Sequence, residues 1–182
     1  MGRKIVVTSG KGGVGKTTLT ASLGIAIAET GKKVVLVDAD IGLNNLDVVL
    51  AVENKVVYDV LDVISGKCRL KQALIQDVDN PTLYVLPSAK IQDSPLITAC
   101  SFRNVVDALA LNFDFVIIDC PAGIDNGFHR AVSAATEAIV VTTPHISAVR
   151  DADKVLSILS GYCLMSVGLV VNRVRGDMVS KG

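Results

Sequence analysis

Residues 10–17 read Gly10-Lys11-Gly12-Gly13-Val14-Gly15-Lys16-Thr17, directly after the apolar run Ile5-Val6-Val7 and directly before Thr18-Leu19-Thr20-Ala21-Ser22-Leu23. This fits G-x-x-x-x-G-K-S/T between a strand and a helix, the pattern of a phosphate-binding loop. The physical demand behind it is narrow. A polyphosphate carries several negative charges that must be met by groups needing little rearrangement on its arrival. Without a Cβ at Gly10, Gly12, Gly13 and Gly15 the backbone can curl its N–H groups inward as an anion nest, and the helix that follows adds its positive end. Lys16 would reach the β- and γ-phosphates, and the Thr17 hydroxyl would complete the shell of a Mg²⁺ ion. The alternative, a glycine-rich turn with a chance lysine, ignores the strand and helix on either side.

The rest of the composition narrows the fold. The chain has 182 residues, and the reading is one domain over 1–182 with room for a substantial core. Half the residues are hydrophobic while only 4% are aromatic, which suits a parallel sheet covered by helices on both faces. The expected architecture is therefore α/β, a three-layer P-loop NTPase fold with a mostly parallel central sheet. Eighteen basic residues balance eighteen acidic ones, so no electrostatic case exists for bulk nucleic-acid binding. The four cysteines, Cys68, Cys100, Cys120 and Cys163, form neither a C-x-x-C pair nor a metal cluster with His129 or His145. They read as reduced core residues. The chain runs through Arg3 and Lys4 straight into the first strand, which predicts no leader and a cytoplasmic location.

Periodicity orders the elements. Leu19, Leu23, Ala26 and Ile27 predict the buried stripe of a first helix ending at Gly31. Residues 33–38 predict a strand buried on both faces that ends in Asp38-Ala39-Asp40. Carboxyl ends of parallel strands are where open α/β sheets place ligands, so Asp38 is a candidate to hold Mg²⁺ through coordinated water and Asp40 to position the attacking water. Solvated turn acids are the other reading of the same residues. Two short helices are expected around Val56, Val60 and Ile64 and around Leu70, Ala73 and Leu74. A strand over 83–86, closed by Pro87, and a helix over 96–111 follow.

Residues 115–119 form an apolar run ending in Asp119, the pattern of an acid that reaches a water on Mg²⁺. The Cys120-Pro121-Ala122-Gly123 turn beyond it is a natural sensor of the γ-phosphate. His129 reads as a surface helix residue. A strand over 138–142 leads to a helix over 147–160 with Val149, Ala152, Leu156 and Leu159 buried and Arg150, Asp151, Asp153 and Lys154 in solvent. The last strand, 167–171, ends in Asn172.

The run Lys11-Gly-Gly-Val-Gly-Lys-Thr-Thr18 resembles the deviant Walker A loop of the MinD/ParA ATPases. Within that superfamily Asp38-Ala-Asp-Ile-Gly-Leu-Asn-Asn-Leu-Asp47 is similar to switch I. Asp119-Cys-Pro-Ala-Gly-Ile-Asp-Asn-Gly-Phe128 has the switch II wording of the MinD branch, and residues 83–89, 147–155 and 175–179 are also similar to MinD segments. The resemblance implies an ATPase that dimerises on ATP with Mg²⁺ and acts in placement of the division septum. Lys11 would cross the dimer interface to the partner's phosphates, Asn172 would meet the adenine edge, and Asp151 would contact a partner protein. MinC-like and MinE-like partners and a peripheral place on the inner face of the cell membrane are implied for full-length members, whose C-terminal part and membrane-targeting helix are not found in these 182 residues. A flagellar-number or ParA-type partition ATPase, or an ATP-dependent scaffold with little turnover, are the alternatives.

Overall fold

The computed structural model describes residues 1–42, 45–90 and 94–176. Leu43 and Asn44 of the switch I resemblance, and 177–179 of the segment after the last strand, lie outside them. Seven strands form one sheet: β1 (Arg3–Thr8), β2 (Val34–Asp38), β3 (Ile75–Gln76), β4 (Leu83–Leu86), β5 (Phe115–Asp119), β6 (Glu137–Thr142) and β7 (Ser166–Val171). Their order is β3-β4-β2-β5-β1-β6-β7. All neighbours are parallel except β3, which runs antiparallel to β4.

The helices are α1 (Lys16–Ala28), α2 (Asn45–Val49), α3 (Val60–Ile64), α4 (Leu70–Ala73), α5 (Ala99–Ala110), α6 (Asn126–Ala134) and α7 (Ile146–Leu159), with a 3₁₀ turn at Glu53–Lys55. Successive strand residues point to opposite faces, and both faces are covered. Val6, Val35, Val37, Val116 and Ile118 pack with Phe102 and Val106 of α5, Phe128 and Val132 of α6, and Val155 and Leu159 of α7. On the other face Val7, Val34, Leu36 and Ile117 pack with Ala21 and Ala28 of α1 and Leu46 of α2. The unbroken apolar runs of β2 and β5 are thus two half-cores written into one strand.

Three details depart from the expected patterns. In α1 the buried residues are Thr20, Ala21, Gly24 and Ala28, while Leu19, Leu23 and Ile27 are only partly covered and Ala26 is exposed. Polar and apolar residues are not segregated to opposite sides of this helix, so periodicity had no polar face to orient it. Close approach decides instead: a Cβ on Gly24 would lie 2.6 Å from Leu36 Cδ2. In α7 the buried stripe is Ala148, Ala152, Val155 and Leu159. Val149 is 49% exposed, because the small Ala148 rather than the larger neighbour meets the sheet. Of the cysteines, all free, only Cys120 is buried; Cys100 and Cys163 are exposed and Cys68 is intermediate, since the latter three fall on element ends and turns.

The two-residue β3, the short α2 and α6 had no distinct periodic signal. α5 begins where Thr98 accepts from Ser101 N and Ser101 returns the bond to Thr98 N, a reciprocal cap that starts the helix three residues later than apolar spacing suggested. β7 is an edge strand whose Val167, Leu169 and Val171 remain substantially exposed. No helix among the described residues is long and apolar enough to cross a membrane.

Phe102 is fully buried between α5 and the sheet. Phe102→Ala is expected to cost about 3–5 kcal/mol, read as a lower urea midpoint at unchanged slope. A loss under about 1 kcal/mol would mean that α5 does not pack on this face as described.

Candidate nucleotide site

The order of the strands locates the site. From β1 the chain crosses over β5 to reach β2, so the carboxyl ends of β1, β5 and β2 stand side by side, with Asp38 opposite Asp119 in the β2–β5 register and Val7 opposite Asp119 in β1–β5. Residues 10–15 leave β1 there and turn into α1. Gly13 and Gly15 have φ of 75° and 97°, the left-handed region open to glycine, and Leu19 N donates to Gly15 O to close the first turn of α1. Side-chain-free backbone is also needed for packing. A Cβ on Gly10 would sit 2.4 Å from the Asp151 carbonyl oxygen of α7, and one on Gly15 would sit 2.4 Å from Asn172 Nδ2.

The loop is held from several sides. Ser9 Oγ donates to Lys11 O at 2.9 Å. Gly123 N donates to Ser9 O and Cys120 N to Val7 O, so the 120–125 turn is tied to the end of β1. Asn172 Nδ2 donates to Val14 O at 2.8 Å while its Oδ1 accepts from Arg173 N. Asn172 is therefore a strut of the loop, a role that spacing in the sequence gave no way to see. Lys11, Gly12, Gly13 and Thr18 are exposed, whereas Gly15, Lys16 and Thr17 are half-buried. A groove of about 270 Å³ runs along Lys11, Gly13, Val14, Thr143, His145 and Arg173.

Three carboxylates lie together beside the loop, two of them, Asp40 and Asp119, near Lys16. Asp38 and Asp119 are each 1% exposed. Asp119 Oδ1 accepts from Thr20 Oγ1 at 3.2 Å. Burial raises its pKa, opposed chiefly by the Thr17 side chain and the Lys16 charge. Burial likewise raises Asp40, against Lys16 and the side chain of Asn45. Asp38 accepts from Asp40 N at 2.9 Å and from Leu46 N at 3.1 Å, yet burial, helped by Asp119 and Asp40, pushes it up to about 7. Thr20 was missed in the sequence; its position one turn beyond Thr17 on α1 was the available signal.

Among the described residues no group of three acid, histidine or cysteine side chains is close enough to grip a metal by itself. Mg²⁺ keeps several waters and takes few protein ligands beside phosphate oxygens, and the paired strand-end acids Asp38 and Asp119, with the Thr17 hydroxyl beside Asp119, are oxygen donors of the kind it takes. The adjacent Cys120 thiol is buried, and that burial pushes it up to about 12, away from the thiolate form. Asp151 is half-buried rather than fully in solvent, with Lys154 Nζ 3.5 Å away. A cavity of about 460 Å³ along Lys33, Leu70, Leu74, Tyr84 and Phe113 contains none of these residues and opens near the amino ends of the strands, opposite the loop.

A glycine loop between strand and helix, a lysine aimed at buried carboxylates and an acid at the adjacent strand end define a P-loop nucleotide-binding domain. A family model described as an AAA domain matches residues 2–161. MinD of Bacillus subtilis, a septum site-determining protein, is 51% identical over 184 residues, covering 100% of this chain and 69% of that protein. The MinC:MinD cell division protein complex of Aquifex aeolicus superposes with a TM-score of 0.87 at 44% identity, over 97% of this chain and 71% of the solved one. MinD of Pyrococcus horikoshii complexed with Mg-ADP gives 0.85 at 38% identity, over 95% and 71%. The chain belongs to the MinD family of septum site-determining proteins. It spans about two thirds of the length of the curated relatives it matches.

In the metal-free protein Asp38 keeps its proton up to about pH 7, whereas in the unfolded chain it loses it near its ordinary 3.8. The folded state binds the extra proton in that window, so Asp38 makes stability fall as pH rises from about 4 to about 7. Asp38→Asn is expected to flatten that part of the profile by up to a few kcal/mol, measured by urea unfolding across pH in EDTA. An unchanged slope would show that Asp38 titrates normally.

Proposed function

We propose that this chain is the nucleotide-binding part of a MinD-type switch that binds ATP with Mg²⁺, dimerises around it, hydrolyses it to ADP and phosphate, and acts in placing the division septum. The observation that carries this reading is the convergence of loop 10–17 with Asp38, Asp40 and Asp119 on one end of the sheet.

The backbone N–H groups of residues 12–17 and the positive end of α1 receive the phosphates, and Lys16 neutralises the β- and γ-oxygens. Mg²⁺, when bound, supplies positive charge across those oxygens; Thr17, Asp38 and Asp119 would hold it, the carboxylates through its retained waters. Asp40, half-buried beside Lys16, orients the attacking water. The Gly123–Ser9 bond lets the 120–125 turn follow a change at the terminal phosphate.

Lys11 sits in the loop but is exposed and has no ion-pair partner among the described residues. In this reading it acts in trans, on the phosphates of a second copy. Groups supplied in this way are worth about 10³ to 10⁵ in rate in related NTPases. Asn172 meets the adenine edge from its place on the loop, and Asp151, flanking the loop on α7, contacts a partner protein. A MinC-like partner is supported by the complex formed by the Aquifex relative; a MinE-like partner, a cytoplasmic location and peripheral attachment to the inner membrane face belong to the same proposal. The balanced charge gives no support to a DNA-binding partition role.

Two substitutions separate the parts. Lys16→Ala is expected to lower ATP turnover by at least about 10² and to weaken nucleotide binding. Lys11→Ala is expected to leave ADP binding unchanged while abolishing a dimer that light scattering after size exclusion detects in ATP but not in ADP. Identical profiles for wild type and Lys11→Ala would remove the trans role, and full turnover in Lys16→Ala would remove the ATPase assignment.

A further inference from the structure

Another pocket, of about 420 Å³ and lined by both polar and apolar side chains, lies on α6 and includes no residue of the loop 10–17. Asn126, His129, Arg130 and Ser133 line it at i, i+3, i+4 and i+7, one face of the helix. Ile97 and Ala99 close it from the start of α5, and Tyr162 from the turn after α7.

Arg130 is out of place by ordinary rules. Its side chain is half-buried, and Nε is sealed from solvent without a hydrogen-bond partner. Its hydrogen bond among the described residues is a long one, 3.5 Å from Nη1 to the Ile97 carbonyl, and no carboxylate pairs with it there. Burial lowers its pKa, with the nearby Cys120 opposing. A half-buried guanidinium with no carboxylate beside it among the described residues costs free energy, and its planar fork of donors matches an oxyanion.

The neighbours have the same sense. The His129 ring stacks on Tyr162 with centroids 6.2 Å apart at 22°, and its Nδ1 is engaged with Tyr162 Oη, which leaves Nε2 as the ring nitrogen available to a ligand. Ala99 is the first residue of α5, so the positive end of that helix borders the pocket. Ile97 and the His129–Tyr162 stack add apolar and aromatic wall beside the cation.

We propose that this pocket binds a small organic or inorganic oxyanion, a carboxylate or a phosphate, with Arg130 as its principal ligand, independently of the nucleotide site.

The test is calorimetry on the 182-residue protein with two probes, succinate and inorganic phosphate, titrated in saturating Mg-ADP so that loop 10–17 is already filled. Amide NMR shifts locate the site. Saturable one-to-one binding is expected for at least one probe, with shifts at 97–99, 126–133 and 162, and the preferred probe tells carboxylate from phosphate. Arg130→Gln should weaken it by about tenfold or more, a loss of roughly 1.4 kcal/mol or above. Should Arg130→Gln fold poorly, Ser133→Glu places a carboxylate one turn away on the same face; it should abolish binding while raising the melting temperature. The proposal is overturned if neither probe saturates, if binding survives both substitutions undiminished, or if the shifts map to residues 10–17. Because the last outcome reports the nucleotide loop alone, it leaves the ATPase reading standing, and failure of ADP to bind leaves the α6 pocket testable.

Discussion

The arrangement depends on the alignment of three parallel strands. With Val7 and Asp38 both paired in register to Asp119, the ends of β1, β5 and β2 are level, and whatever leaves them is delivered to one small volume. That alignment is fixed by burial on both faces: a slip of one residue would exchange Val6 with Val7 and Val35 with Leu36 between the two cores, each of which has helices shaped to it. Chemistry at the strand ends therefore inherits its precision from apolar packing well away from it.

Sequestering Asp38 and Asp119 works against this stability. Two carboxylates at adjacent strand ends, each almost without solvent, are held by Thr20, two backbone N–H groups and the charge of Lys16. Desolvation remains the largest influence on both. Such a cluster suits a site whose electrostatics are completed from outside, because a cation entering near it relieves what the fold leaves uncompensated. The fold thus leaves a desolvation cost at the very strand ends that it buries most completely.

Much of this was legible in the residues. Loop 10–17, the acid at the end of an apolar run and the Asp38-Ala39-Asp40 exit each combine a strong local pattern with a flanking element, and the structure brings them together. What the sequence hid was set by approach distance or by contacts remote along the chain. Nothing in a helix with as little amphipathic pattern as α1 says that its small residues turn inward; Leu36 decides it. The exposure of Val149 follows from Ala148 fitting the sheet more closely. A two-residue strand such as β3 has no period to detect, and the bond from Asn172 to Val14 links positions 158 residues apart. Cysteines were expected inside because the type is usually buried, but three of the four occupy element ends and turns.

The contact of Gly10 with the Asp151 carbonyl carries one more implication. A bare backbone laid against another backbone, with no room for even a methyl group between them, has no slack. Any displacement of loop 10–17 toward α7 therefore meets the helix backbone at Asp151 with no side chain between to absorb it.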